Sequence, residues 1–81
     1  MAMTLSESPR STALRVTGVK ANDSDDIIAR RLMELGFIPG AVIEIRQEAP
    51  LLKDPMAILV RGMVVALRRY EADRVSVEPA R

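Results

Sequence analysis

Cysteine, histidine and tryptophan are all missing from this chain. Without thiols there is no disulfide framework and no thiolate metal site, so the core alone must hold the fold, as in proteins of reducing compartments. Without histidine the chain has no imidazole base for neutral pH, no usual partner for a Ser nucleophile, and not the preferred ligand of zinc or copper. The carboxylates, Ser, Thr, Lys and single Tyr that remain form neither a G-x-S-x-G elbow nor a phosphate loop. These absences argue against an enzyme.

Aromatic side chains are nearly absent as well, Phe37 and Tyr70 being the whole set. Readers of single-stranded nucleic acid stack bases on aromatic platforms, and this chain has little to offer them. Long apolar runs are missing too. The longest, Met56–Val60 and Met63–Leu67, have five residues each, far below the roughly 18 to 20 that cross a bilayer. Direct membrane insertion is therefore not expected. The polar stretch from Met1 to Thr12 has no apolar stretch like a signal peptide's, so export is not expected and a cytoplasmic location is. Twelve Lys and Arg against eleven Asp and Glu leave a net charge of +1, which excludes a strong overall field for gathering nucleic acid or anionic lipid.

Aliphatic residues are what the chain does have. Hydrophobic side chains make up 48% of its 81 residues, and a domain of this size, which buries only about 60 to 65% of its unfolded surface, needs such a density. Leu14 and Val16 alternate with Arg15 and Thr17, the period of a strand, until Gly18 interrupts ahead of Val19. Ala21-Asn22-Asp23 makes a connection. Asp23 or Ser24 is placed to cap a helix over about Asp25–Leu35, with Asp25 and Asp26 at the positive end of its dipole. Ile28, Leu32 and Leu35 share one face of that helix.

The densest local signal is Leu35-Gly36-Phe37-Ile38-Pro39-Gly40. Gly36 suits the left-handed position just past a helix, and Phe37 can fold back on Leu32, the hydrophobic contact of a Schellman motif. Pro39-Gly40 then fits a type II turn, with proline presetting the first central position and glycine supplying positive φ at the second.

Strands follow at about Ala41–Glu48, Met56–Val60 and Met63–Leu67, the last two joined by a tight Arg61-Gly62 hairpin. Arg68–Asp73 has helical composition for about one turn, and Arg74–Glu78 alternates again before Pro79. A flat sheet of five such short strands would leave one face and both edges unprotected. The expected fold is thus mainly β: a small, partly open SH3-like β-barrel of about five strands with one inserted α-helix. Residues 13–78 form it, residues 1–12 lie outside it and are in part disordered, and residues 79–81 are a tail.

Three groups of residues carry candidate function. Asn22-Asp23-Ser24-Asp25-Asp26 offers oxygen ligands, and Asp23, Asp25 and Asp26 are candidates for weak surface binding of a divalent metal. The sequence lacks the glycine and distal glutamate of an EF-hand, and a helix cap explains the same residues; no cofactor is expected. Arg61 and Arg68, with Arg69, Arg30, Arg31 and Arg74, read either as a basic patch for a partner or phosphate or as a solvated face laced with acidic partners. Leu51 and Leu52, in a loop bounded by Pro50 and Pro55, read either as an anchor for a protein partner or as a cap on the barrel end.

Several blocks then agree with one family. Arg31-Leu32-Met33-Glu34-Leu35-Gly36-Phe37-Ile38-Pro39-Gly40, Ala49-Pro50, Asp54-Pro55, Val60-Arg61-Gly62, Ala66-Leu67-Arg68-Arg69, Glu71-Ala72 and Val75-Ser76-Val77 resemble FeoA-type ferrous iron transport accessory proteins over about residues 13–78. The loop Leu51-Leu52-Lys53 departs from the shorter leucine-glycine step common in the family. The resemblance implies an SH3-like barrel, a cytoplasmic, non-enzymatic adaptor, and contact with the cytoplasmic part of the GTP-binding transporter FeoB. Partner contact is assigned to Leu51, Leu52, Arg61 and Arg68, no nucleic acid is expected, and an exposed edge leaves room for weak self-association. The alternative is a small-barrel regulatory or nucleic-acid-binding module, since a similar domain occurs at the C-terminus of iron-dependent repressors.

Overall fold

The computed structural model describes residues 3–48 and 54–80. Strands β1 (Met3–Thr4), β2 (Leu14–Val19), β3 (Val42–Glu48), β4 (Met56–Val60), β5 (Met63–Leu67) and β6 (Val75–Pro79) are rich in aliphatic residues, alternating with polar ones in β2, β3 and β6 and continuous in β4 and β5. Between them lie helix α1 (Ile27–Leu35), the one-turn helix α2 (Arg69–Ala72) and a 3-10 turn at Leu5–Glu7. All pairings are antiparallel, in the order β1-β6-β2-β3-β4-β5. The inward residues of β2 (Leu14, Val16), β3 (Ile43, Ile45), β4 (Met56, Ile58, Val60), β5 (Leu67) and β6 (Val75, Val77) nevertheless share one buried cluster with Leu32 and Phe37. Strands so far apart in the order can meet in one core only if the sheet curls, which confirms the mainly β barrel.

Two irregularities make the curl. The register slips between Val16 and Gly18 where β2 meets β6, and between Ile45 and Gln47 where β3 meets β4. Each adds a residue on one strand, raising twist and bending it. Gly18 and the uneven alternation of the third strand are the traces these bulges leave in the sequence.

The segment Leu35–Gly40 folds as its residues dictate. Gly36 sits at φ 118°, ψ 6°; its N–H donates to Met33 O at 3.1 Å and the Phe37 N–H to Leu32 O at 3.1 Å. These are the paired bonds of a Schellman motif, and Phe37 and Leu32 are both buried. Ala41 N–H closes the Pro39-Gly40 turn on Ile38 O at 3.0 Å, with Gly40 at φ 94°. The turn also docks on β2, since Gly40 N–H donates to Val16 O and Val16 N–H to Ala41 O, each at 2.8 Å. One helix end thereby aims the start of β3.

Three expectations need correction. Helix α1 begins at Ile27 rather than about Asp25, because Asp26 is its cap: the carboxylate accepts from Ala29 N–H at 3.0 Å. The strands number six among the described residues, β1 being the addition. The barrel also starts earlier than residue 13. Met3 and Thr4 pair with Val77 and Ser76, and Leu5 is fully buried; one leucine among polar residues is too weak a pattern to mark a core position.

Candidate functional site

The acidic run before α1 is spent on the helix end. Asp26 accepts from Asn22 N–H at 2.8 Å and Ala29 N–H at 3.0 Å, and Arg74 Nη1 donates to it at 2.5 Å. The bonds from Asn22 and Ala29, followed by the Arg74 guanidinium, hold its pKa at about 2, down from an ordinary 3.8. Asp23 accepts from Asp25 N–H at 2.8 Å, turning the chain into the helix. Among the described residues no three His, Cys, Asp or Glu side chains group as metal ligands.

The arginines are likewise distributed over local partners. Arg31 Nη1 reaches Glu71 Oε2 at 2.9 Å, and Glu71, a buried carboxylate, also accepts from Arg68 N–H at 2.8 Å at the start of α2. Arg69 donates from its backbone to Asp54 at 3.2 Å and from Nη2 to Ser6 O at 2.7 Å, while Ser6 donates to Asp73. The 3-10 turn is thereby tied to α2. Arg68 Nη1 stands 3.8 Å from Asp54 with most of its side chain in water. Arg74 links Asp26 to Lys20 O at 3.3 Å. These contacts favour the reading of a solvated face laced with acids over one concentrated basic patch.

Arg61 differs. It occupies the tip of the β4–β5 hairpin at φ 53°, followed by Gly62 at φ 78°, the two positive angles of a type I′ turn. It makes no hydrogen bond or ion pair with any described residue, and its aliphatic stem lies over Gly36. Leu51 and Leu52, assigned to partner contact, lie outside the described residues. Phe37 is fully buried, leaving Tyr70 as the exposed ring, at 60%.

The hairpin that Arg61 tips is assigned partner contact by the sequence at Arg61 only, with no role for its strand residues. Its ten strand residues, Met56–Val60 and Met63–Leu67, contain no polar side chain. Met56, Ile58 and Val60 face the core, yet Met63 is 54% and Val64 61% exposed on β5, which pairs with β4 alone among the described residues. The sequence signal was two uncharged apolar strands in succession. A strand buried on both faces gives the same pattern, so it does not by itself reveal an edge.

The site is therefore a surface: an apolar edge strand, uncovered among the described residues, between Arg61 and Arg68. No curated protein sequence matches the chain. The FeoA domain model matches residues 3–79. Among solved structures, Stenotrophomonas maltophilia FeoA, described as a zinc complex of an SH3 domain protein, is 41% identical over 94% of this chain and 89% of its own, with a TM-score of 0.85. FeoA from Chlorobium tepidum is 35% identical over 98% and 71% of the two chains, with a TM-score of 0.82. T. acidophilum IdeR, 22% identical and matched over 34% of its own length with a TM-score of 0.76, shares the fold. The barrel, its Schellman-capped helix and the match over residues 3–79 lead to one conclusion: the chain belongs to the FeoA family of ferrous iron transport.

Proposed function

We propose that this protein is a non-enzymatic cytoplasmic adaptor that binds the cytoplasmic part of a FeoB-type GTP-binding transporter and promotes ferrous iron uptake. The observation that carries the reading is the FeoA domain match over residues 3–79. Two features support it. Asp26, Glu71 and Arg31 are engaged in capping and pairing, and the exposed surface at β5 is apolar, which suits protein contact. No helix among the described residues is long and apolar enough to cross a membrane. An adaptor changes a transporter only through different affinities for the transporter's states, so its affinity should differ between the nucleotide-free and GTP-bound domain.

The test is titration of the isotope-labelled protein with the transporter's soluble GTP-binding domain in both states. Saturable shifts in either state are expected; none in either would refute the reading. Leu51→Ala combined with Leu52→Ala tests the proposed loop anchor, which is lost from the account if affinity is unchanged.

A further inference from the structure

Among the described residues strand β5 is an edge, with an identifiable pattern of outward-facing groups. In a two-residue hairpin the closing pair, here Val60 and Met63, exchanges both of its hydrogen bonds, and pairs alternate from there. Met63, Val65 and Leu67 therefore bond to β4, and the N–H and C=O groups of Val64 and Ala66 face outward. Natural edges are blunted by charges, prolines or bulges. β5 has no charge and no proline, and its register with β4 is unbroken from Met63 to Leu67.

The side chains around this edge are also unsatisfied. On the inward face, cover declines along β5 from buried Leu67 through half-buried Val65 to exposed Met63. On the outward face Val64 and Ala66 are exposed beside half-buried Leu59 and Ala57. One further strand would satisfy the outward amides and cover Met63 and Val64 together.

Charge identifies the occupant. Arg61 stands at one end of β5 and Arg68 at the other, both exposed, Arg61 without an ion pair among the described residues and Arg68 in a long, solvated one with Asp54 at 3.8 Å. A second copy paired antiparallel in full register would set Gly62 opposite Arg68 at both ends, bringing Arg61 of each copy beside Arg68 of the other. The arrangement disfavours self-pairing and favours a strand with the opposite sign at its flanks. We propose that the β5 edge is a strand-addition site for an extended segment of another protein, apolar over about five residues and acidic where it passes Arg61 and Arg68. The inference deepens the adaptor reading and rests on it for the occupant being a different protein.

The probe is a capped synthetic peptide of alternating Val and Thr with two Glu at each end, and its control has Lys in place of Glu. Hydrogen exchange and amide shifts are read by NMR on the intact protein. In the free protein the Val64 and Ala66 amides exchange fast; the Glu-flanked peptide slows both while leaving Met63, Val65 and Leu67 nearly unchanged. The Lys-flanked peptide binds about tenfold more weakly at low salt, the sum of several exposed pairs. Val64→Pro abolishes binding but keeps the hairpin, because that N–H is outside the β4 ladder. Arg61→Glu, at a residue outside the core, reverses or erases the preference between the peptides.

Four results would overturn the proposal: Val64 and Ala66 amides already protected in the free protein, peptide shifts mapping elsewhere, indifference to flank charge, or a concentration-dependent dimer protecting the same amides. The two readings also separate. A transporter domain that binds without protecting Val64 and Ala66 removes this inference and leaves the adaptor. A peptide that binds at β5 while the transporter domain binds nowhere does the reverse.

Discussion

Replacing Gly36 by Ala tests how the helix end, the hairpin and the barrel lock together. Gly36 is buried at φ 118°, where an L side chain is strained by about 1 to 2 kcal/mol. An added Cβ would also collide with Arg61 Cδ and stand 3.0 Å from Arg61 Cγ and 3.2 Å from Val60 Cγ2. The arginine stem can swing away, but Val60 is fully buried and can give little, so overpacking adds about 1 kcal/mol or more. Against this, Ala restricts the unfolded chain and returns about 0.4 to 1 kcal/mol. The net expectation is a loss of about 2 kcal/mol, which for a domain of this size lowers Tm by about 8 to 16 °C. Gly40 supplies the control: its φ is 94°, yet nothing lies within 4 Å of an added Cβ. Gly40→Ala should cost only the backbone strain, about 1 kcal/mol after the same offset. Circular dichroism during urea and thermal unfolding measures both. Combining Gly36→Ala with Arg61→Ala removes part of the collision, so the double variant should lose about 0.5 to 1 kcal/mol less than the two singles summed. Equal losses at both glycines together with strict additivity would refute the docking of Arg61 over Gly36, and a fully stable Gly36→Ala chain would refute the whole account of this junction.

Leu5→Ala, which empties a fully buried site in the first turn, should destabilise the protein by about 2 to 5 kcal/mol in urea unfolding; a neutral result would mean the N-terminal segment is not part of the core. Because the Asp26 pKa is depressed on folding, its contribution is fully present above the ordinary value of 3.8 and is lost as pH falls through about 2. Asp26→Asn keeps a capping side chain but should flatten the stability profile between pH 4 and 2, and an unchanged slope there would contradict the assignment. Glu71→Ala strips the buried partner from Arg31 and from the Arg68 N–H and should cost about 2 to 4 kcal/mol, with Glu71→Gln in between because it can still accept from that N–H.

Ordering of surface charge has a functional consequence. Arg31, Arg68 and Arg74 face carboxylates, and Arg69 is bound to Ser6 O and Asp54. Arg61 is left at the hairpin tip without such a partner among the described residues. In the sequence Arg61 and Arg68 stand with Arg30, Arg31, Arg69 and Arg74 as one group of six candidates, the first two assigned to partner contact. Only pairing partners distinguish them, and partners brought together from distant parts of the chain leave no local trace.

Local chemistry made part of this protein readable. A glycine able to adopt positive φ stops α1 and reverses the chain, Pro39-Gly40 turns it, and Arg61-Gly62 closes a hairpin, because each depends on residues within a few positions of one another. Period-two alternation located β2, β3 and β6 for the same reason, and two short apolar runs on either side of Arg61-Gly62 located β4 and β5. The two-residue strand β1 and the burial of Leu5 escaped that reading, since neither has a repeating pattern to detect. The bounds of α1 shifted because its cap is Asp26, expected in the first turn, rather than Asp23 or Ser24.

The sequence alone therefore determined a small aliphatic barrel with one capped helix, empty of thiols and imidazoles, and resembling FeoA. Tertiary structure decided which charges are neutralised and which strand is left at the edge. Arg31 meets Glu71 across 40 positions, Arg74 meets Asp26 across 48, and Ser6 meets Asp73 across 67. Such contacts exist only once the sheet has curled and closed its loops, and the same closure pairs β6 on both sides while leaving β5 with one neighbour among the described residues.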